Sequence, residues 1–175
     1  MPKSSSAAAA ASSAPSTPAA TPSDDAPTFP LDVLRARADW LARAAKEACR
    51  QHLRCSDLCG RPDVDVQELN GILELAAVAD RLLGEAAEAY AKAGAKLHPE
   101  GDEVGWWKQA NALWLAAREH VRRHILGDRL SKRVGSAPSR ERLAELHVEY
   151  ELEASAILSL QQVADAYCRA RPQAV

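Results

Sequence analysis

The chain has 175 residues, with 22 lysines and arginines against 24 aspartates and glutamates, a formal net charge of −2. That balance excludes a protein that coats nucleic acid by bulk charge, although a local basic patch remains compatible with it. Four cysteines, Cys49, Cys55, Cys59 and Cys168, do not make a disulfide scaffold and are expected as reduced thiols. Charge interrupts every apolar stretch before the ~18 residues that a membrane span requires, so a soluble, cytoplasmic chain is expected.

Residues 1–27 are dominated by Ala, Ser, Pro and Thr. They hold too little apolar surface to offset the entropy of ordering, and a disordered tail is expected there. Lys3 followed by Ala7–Ala11 faintly suggests a signal peptide, but Ser and Pro break the alanine run that an h-region needs. Residues 28–172, roughly 145 of them, suffice for one domain with its own core.

Within that domain, Pro and Gly punctuate four stretches of helical periodicity. The first runs from about Leu31 to Leu58, entered at Pro30 and stopped by Gly60 and Pro62, with a stripe of Leu34, Ala38, Leu41, Ala45, Ala48, His52, Cys55 and Cys59. The second opens with the capping box Asp65-Val66-Gln67-Glu68 and carries Leu69, Ile72, Ala76, Ala79, Leu83, Ala86 and Tyr90 on one face, before Gly94, Pro99 and Gly101. The third is expected from Glu103, capped by Asp102, to Leu126, where Gly127 would close it. Its face is Trp106 or Trp107, Ala110, Leu113, Trp114, Ala117 and Val121. The fourth follows Pro138 and Ser139 and reaches about Ala170, with Leu143, Leu146, Tyr150, Ile157, Leu160, Ala164 and Tyr167 inward. No alternating β-branched run occurs. Short connections between long amphipathic helices favour an all-α, antiparallel up-down four-helix bundle.

Two groups of side chains could ligate a transition metal such as zinc. Cys49, His52, Cys55 and Cys59 are spaced so that the last three approach one helix face, and thiolate and imidazole suit zinc or copper(I). The alternative is that these are small inward-facing core residues. Cysteine-rich copper-binding four-helix bundles repeat their cysteines on several helices, whereas here one helix carries all but Cys168. His120 and His124, one turn apart behind Glu119, form the second group, with Glu145 and His147 expected opposite. Here the alternative is a pair of surface histidines near a helix end. The Glu-x-x-His repeat of ferritin-type di-iron sites is missing.

Arg118-x5-His124 and Arg142-x4-His147 match the Arg-x4–6-His spacing of HEPN-domain ribonucleases, but 16 arginines and five histidines give about one or two such matches by chance (three spacings × 16 × 5 / 175). The spacing assigns no family. Basic residues cluster around the third connection (Arg118, Arg122, Arg123, Arg129, Lys132, Arg133, Arg140, Arg142), whereas the second helix and its flanks are acidic (Asp63, Asp65, Glu68, Glu74, Asp80, Glu85, Glu88, Glu100, Asp102, Glu103). The basic end could grip a partner or be neutralised by Glu141, Glu145 and Glu149. Glu153 falls between Tyr150 and Ile157 on the apolar stripe; helix drift is expected to turn Ala154 inward and leave Glu153 at the rim.

Enzymes need converging nucleophiles, acids or phosphate-cradling glycines, and none stands out. The expectation is therefore a non-enzymatic bundle acting through protein–protein association, as adaptor or subunit or by self-association, with no cofactor. Partner contacts are expected at Trp106 or Trp107 with Arg118, Arg122, Arg129 and Arg133. The alternatives are a metal-binding bundle, using His52, Cys55 and Cys59 or His120 and His124, and an RNA-binding or RNA-cleaving helical domain.

Overall fold

A computed structural model describes residues 30–94, 97, 100–101, 103–135 and 138–170. The expected disordered tail and the Asp102 cap lie outside the described residues. Four helices account for the fold: α1 (Pro30–Cys59), α2 (Val66–Gly94), α3 (Glu103–Val134) and α4 (Arg140–Ala170). No strand occurs among the described residues. Helix α1 packs closely with α2, and α3 with α4. No helix is long and apolar enough to cross a membrane, among the described residues.

The helix starts follow the local chemistry. Asp65 Oδ1 accepts the Gln67 N–H at 2.9 Å, which satisfies one of the free donors opening α2. Ser139 Oγ accepts the Arg142 N–H at 3.3 Å in the same role for α4. Helix α3 does not stop at Gly127. It continues to Val134 and ends before Gly135, whose φ of 64° is the left-handed conformation that glycine adopts without strain. Gly127 serves packing instead: a Cβ there would lie 3.2 Å from Glu153 Oε2 and 3.6 Å from the Tyr150 ring.

The apolar core fills one part of the bundle. Leu34, Leu41, Leu83, Leu113, Leu160 and Tyr167 are fully buried, and alanines between them let the helices approach. The polar ends of large side chains are satisfied there: Trp106 Nε1 donates to Tyr167 Oη at 3.3 Å, Tyr167 Oη donates to Asp39 at 2.8 Å, and Tyr90 Oη donates to Asn111 at 2.9 Å. Arg35 pairs with Glu103 beside them. The start of α1, the start of α3 and the end of α4 therefore meet around Trp106.

The first half of α4 departs from the expected stripe. Leu143 and Tyr150 are exposed, and the inward positions go to Glu149 and Glu153. Glu149 is buried because Arg123 Nη1 reaches it at 3.1 Å. Ala154, expected inward, is exposed. The partners that hold Glu153 inside lie on α3.

Candidate metal centre

Away from the Trp106 end, all four helices contribute a polar side chain to one cluster. Asp80 of α2 is at its centre and is 5 % exposed. Its Oδ2 lies 2.8 Å from His52 Nε2 of α1, and its Oδ1 lies 2.9 Å from His120 Nε2 of α3. His124, one turn after His120, brings its Nε2 to 3.6 Å from Asp80 Oδ2 while its Nδ1 is 2.8 Å from Glu153 Oε1 of α4. The rings crowd together: the His52 and His120 centroids are 4.9 Å apart and nearly perpendicular, and His52 and His124 are 5.9 Å apart.

Local sequence explains the convergence. Asp80 is four residues after Ala76 and three before Leu83, so it shares their buried face. His120 follows Ala117 by three residues on the buried face of α3, and His124 follows His120 by four. Glu153 precedes the buried Ile157 by four.

Burial would raise the Asp80 carboxyl, but the hydrogen bonds from His120 and His52 overcome it and hold Asp80 well below the usual carboxylate range. Asp80 is therefore ionised and can only accept, so His52 and His120 present Nε2–H to it. The hydrogen bond to Glu153 raises the His124 imidazole against the opposing effect of burial, and the charges of Asp80, Glu153 and Asp128 add to the rise. His120 is fully buried, and its Nδ1 has no hydrogen-bond partner. Leaving such a nitrogen unpaired costs roughly 1–3 kcal/mol, an exception of the kind found where an ion or water belongs.

Two overlapping sets of potential ligand atoms, His52–Asp80–His120 and His52–His124–Glu153, each fall within 4.8 Å. Three imidazoles and two carboxylates are nitrogen and oxygen donors suited to a divalent first-row metal. The Glu153–His124 contact has the form of a carboxylate that orients a ligating imidazole through its far nitrogen.

The two histidine groups anticipated separately in the sequence thus form one cluster, His52 from the first and His120 with His124 from the second. His120 is not a surface histidine. The cysteines do not join them: neither set of ligand atoms among the described residues includes Cys55 or Cys59. All four cysteines are free thiols. Cys49 is buried with its thiol 3.6 Å from the Ile157 carbonyl, and burial pushes that thiol up to about 11. Burial, then the neighbouring Cys59, raises the Cys55 thiol. His147 stays at the surface 3.2 Å from Glu151 and does not face the other histidines, and Glu145 is also exposed.

The expected partner surface changes in detail. Trp106 is buried and bonded to Tyr167, because its indole fills the core while Trp107 takes the half-buried neighbouring position. Arg118 lies over the Trp114 ring at 4.9 Å. Arg122 and Arg123 both bind Glu119, whose carboxyl they hold down to about 2. Arg129 and Arg133 are exposed. Asp80, counted in the sequence among acidic surface charges, is the largest omission. Its position on the apolar stripe of α2 was the signal, the same one that drew notice to Glu153.

No family model matches the chain, nor does any curated protein or solved structure.

Proposed function

We propose that this chain is a metal-binding helical bundle that holds one divalent first-row transition ion at His52, Asp80, His120 and His124, with Glu153 orienting His124. The observation that carries the reading is the convergence of three imidazole nitrogens, at 2.8, 2.9 and 3.6 Å, on the buried carboxylate of Asp80. Such a carboxylate is costly to bury for structural purposes alone, and an apolar residue would pack the position more simply. A cation would take the place of the protons that His52 and His120 now present to Asp80, in a cluster whose side chains are already brought together.

Elemental analysis and cobalt(II) or zinc titration of the purified chain test the reading. The expected result is one ion per chain and at least about a hundredfold weaker binding in a His52→Ala, His124→Ala variant, whose half-buried positions tolerate truncation. A Cys55→Ser, Cys59→Ser variant should bind as the parent does. A parent chain that takes up no ion, or a histidine variant that binds unchanged, would remove the proposal.

A second reading, self-association, rests on different residues. Helix α4 exposes Leu143, Val148, Tyr150, Leu152 and Leu158, apolar side chains that association would take out of water. Light scattering should then give a dimer mass, reduced to the monomer by Leu152→Glu; a monomeric parent chain would dismiss this reading.

A further inference from the structure

The donors of the centre are not equally enclosed. His120 is 0 % exposed and Asp80 5 %, so they form a sealed floor; Glu153 at 13 %, His52 at 20 % and His124 at 37 % rise from it on one side. That side opens on a cleft of about 280 Å³, bordered by His52, His124 and Glu153 and walled by Leu73, Ala77 and Tyr150. A larger cleft of about 720 Å³ shares His52, Cys55, Leu73, Tyr150 and Glu153 with it and extends to Leu158.

Resting on the metal reading above, we infer that the bound ion keeps one coordination position open towards this cleft, and that the position accepts small uncharged ligands with an apolar body in preference to anions.

Three arguments converge on this. A purely structural ion is sealed by its protein ligands on all sides, whereas a reactive one retains a position for water or substrate. Here the three imidazoles and Asp80 approach from the floor and flanks, and Glu153 is turned to His124 Nδ1; Cys55 and Asp128 also line the cleft but belong to neither converging set of ligand atoms, which leaves a position open on that side. The second argument is charge. Neither cleft is bordered by a lysine or arginine, while Glu153 and Asp128 both border the smaller one. Asp128 is paired with Lys132 at 2.6 Å, and Asp80 with Glu153 balances a divalent ion, so an incoming anion gains no net attraction. The third is the wall chemistry. Leu73, Ala76, Ala77 and Tyr150 offer apolar contact beside the polar Cys55, Asp128 and Ser131, which suits a ligand that presents one donor atom to the metal and hydrocarbon to much of the wall.

The test uses the full chain loaded with cobalt(II), whose visible bands report coordination. 1-Methylimidazole, neutral and planar with a methyl group, is titrated against azide. The expected outcome is a saturable change of the bands with cobalt retained, azide requiring at least about tenfold higher concentration. An Ala77→Trp variant, altered at an exposed position on the cleft wall, should bind cobalt as the parent does and weaken 1-methylimidazole at least about tenfold. Bands that respond to neither ligand while cobalt stays bound would overturn the open position. Tighter binding of azide would overturn the charge preference, and an unaffected Ala77→Trp variant would overturn the route. Failure to take up cobalt at all is a different result and counts against the metal reading itself.

Discussion

Around Leu34, Leu41, Leu113 and Tyr167 the helices bury apolar side chains completely, whereas at the level of Asp80 the same four helices meet through three imidazoles and two carboxylates. The first region stands on the transfer of hydrocarbon out of water, which needs no further component. The second gathers groups whose desolvation is costly and repays it through short polar contacts. Around it helix α4 leaves Leu143, Val148 and Leu152 exposed. One end of the bundle is thus an apolar scaffold, and the other end is organised around a polar cluster.

The largest expected effect breaks the scaffold side. Leu113→Ala should cost about 3 kcal/mol, within the range for a fully buried leucine truncated in a packed core, by urea unfolding. Because Leu113 belongs to the apolar core, the loss should be the same with and without zinc. A loss that zinc abolishes would show that the two regions are coupled and would erase the distinction.

The metal side should respond to the ion instead. At a free concentration a hundred times the dissociation constant, binding stabilises the folded chain by about 2.7 kcal/mol. In hydrogen exchange the gain should be concentrated in α3 near His120 and His124 and in α4 near Glu153, while amides around Leu34–Leu41 move least. Uniform protection along all four helices would mean that the bundle opens only as a whole.

Most of this scaffold was legible in the sequence because its signals are repetitive: apolar residues every three or four positions, a capping box at Asp65, and Pro or Gly between the helices. The centre was legible only in pieces. His52, His120 and His124 stood out as ligand types, but a single sequence does not say which helix faces which, so they were assigned to two separate groups. Asp80 was read as one more charge on an acidic helix. The periodicity that placed Ala76 and Leu83 inside also placed Asp80 inside, and a carboxylate can occupy such a position only when partners from other helices meet it there. Those partners are separated from it by 28 and 40 residues, beyond any local pattern. Glu153 was misplaced for the related reason that His124 and the missing Cβ of Gly127 give it room that no feature of α4 reveals.

Gly127 gives the finest test of the comparison, because two opposed effects act at one atom. Alanine in the interior of a helix is favoured over glycine by roughly 0.5–1 kcal/mol, so Gly127→Ala would stabilise α3 if nothing faced it. Here the new Cβ would stand 3.2 Å from Glu153 Oε2, tighter than ordinary contact, with the Tyr150 ring at 3.6 Å. A carboxylate at the end of a flexible side chain can yield a few tenths of an ångström, so the fold should survive with its stability within about 0.5 kcal/mol of the parent. Yielding carries Glu153 away from His124 Nδ1, and loss of such an outer carboxylate weakens metal binding by about tenfold, the lower end of what these contacts contribute. The expected signature is an unchanged urea midpoint without metal beside a tenfold weaker cobalt affinity. Equal affinity would show that Glu153 does not orient His124, whereas a large fall in metal-free stability would show that the α3–α4 contact at Gly127 belongs to the scaffold.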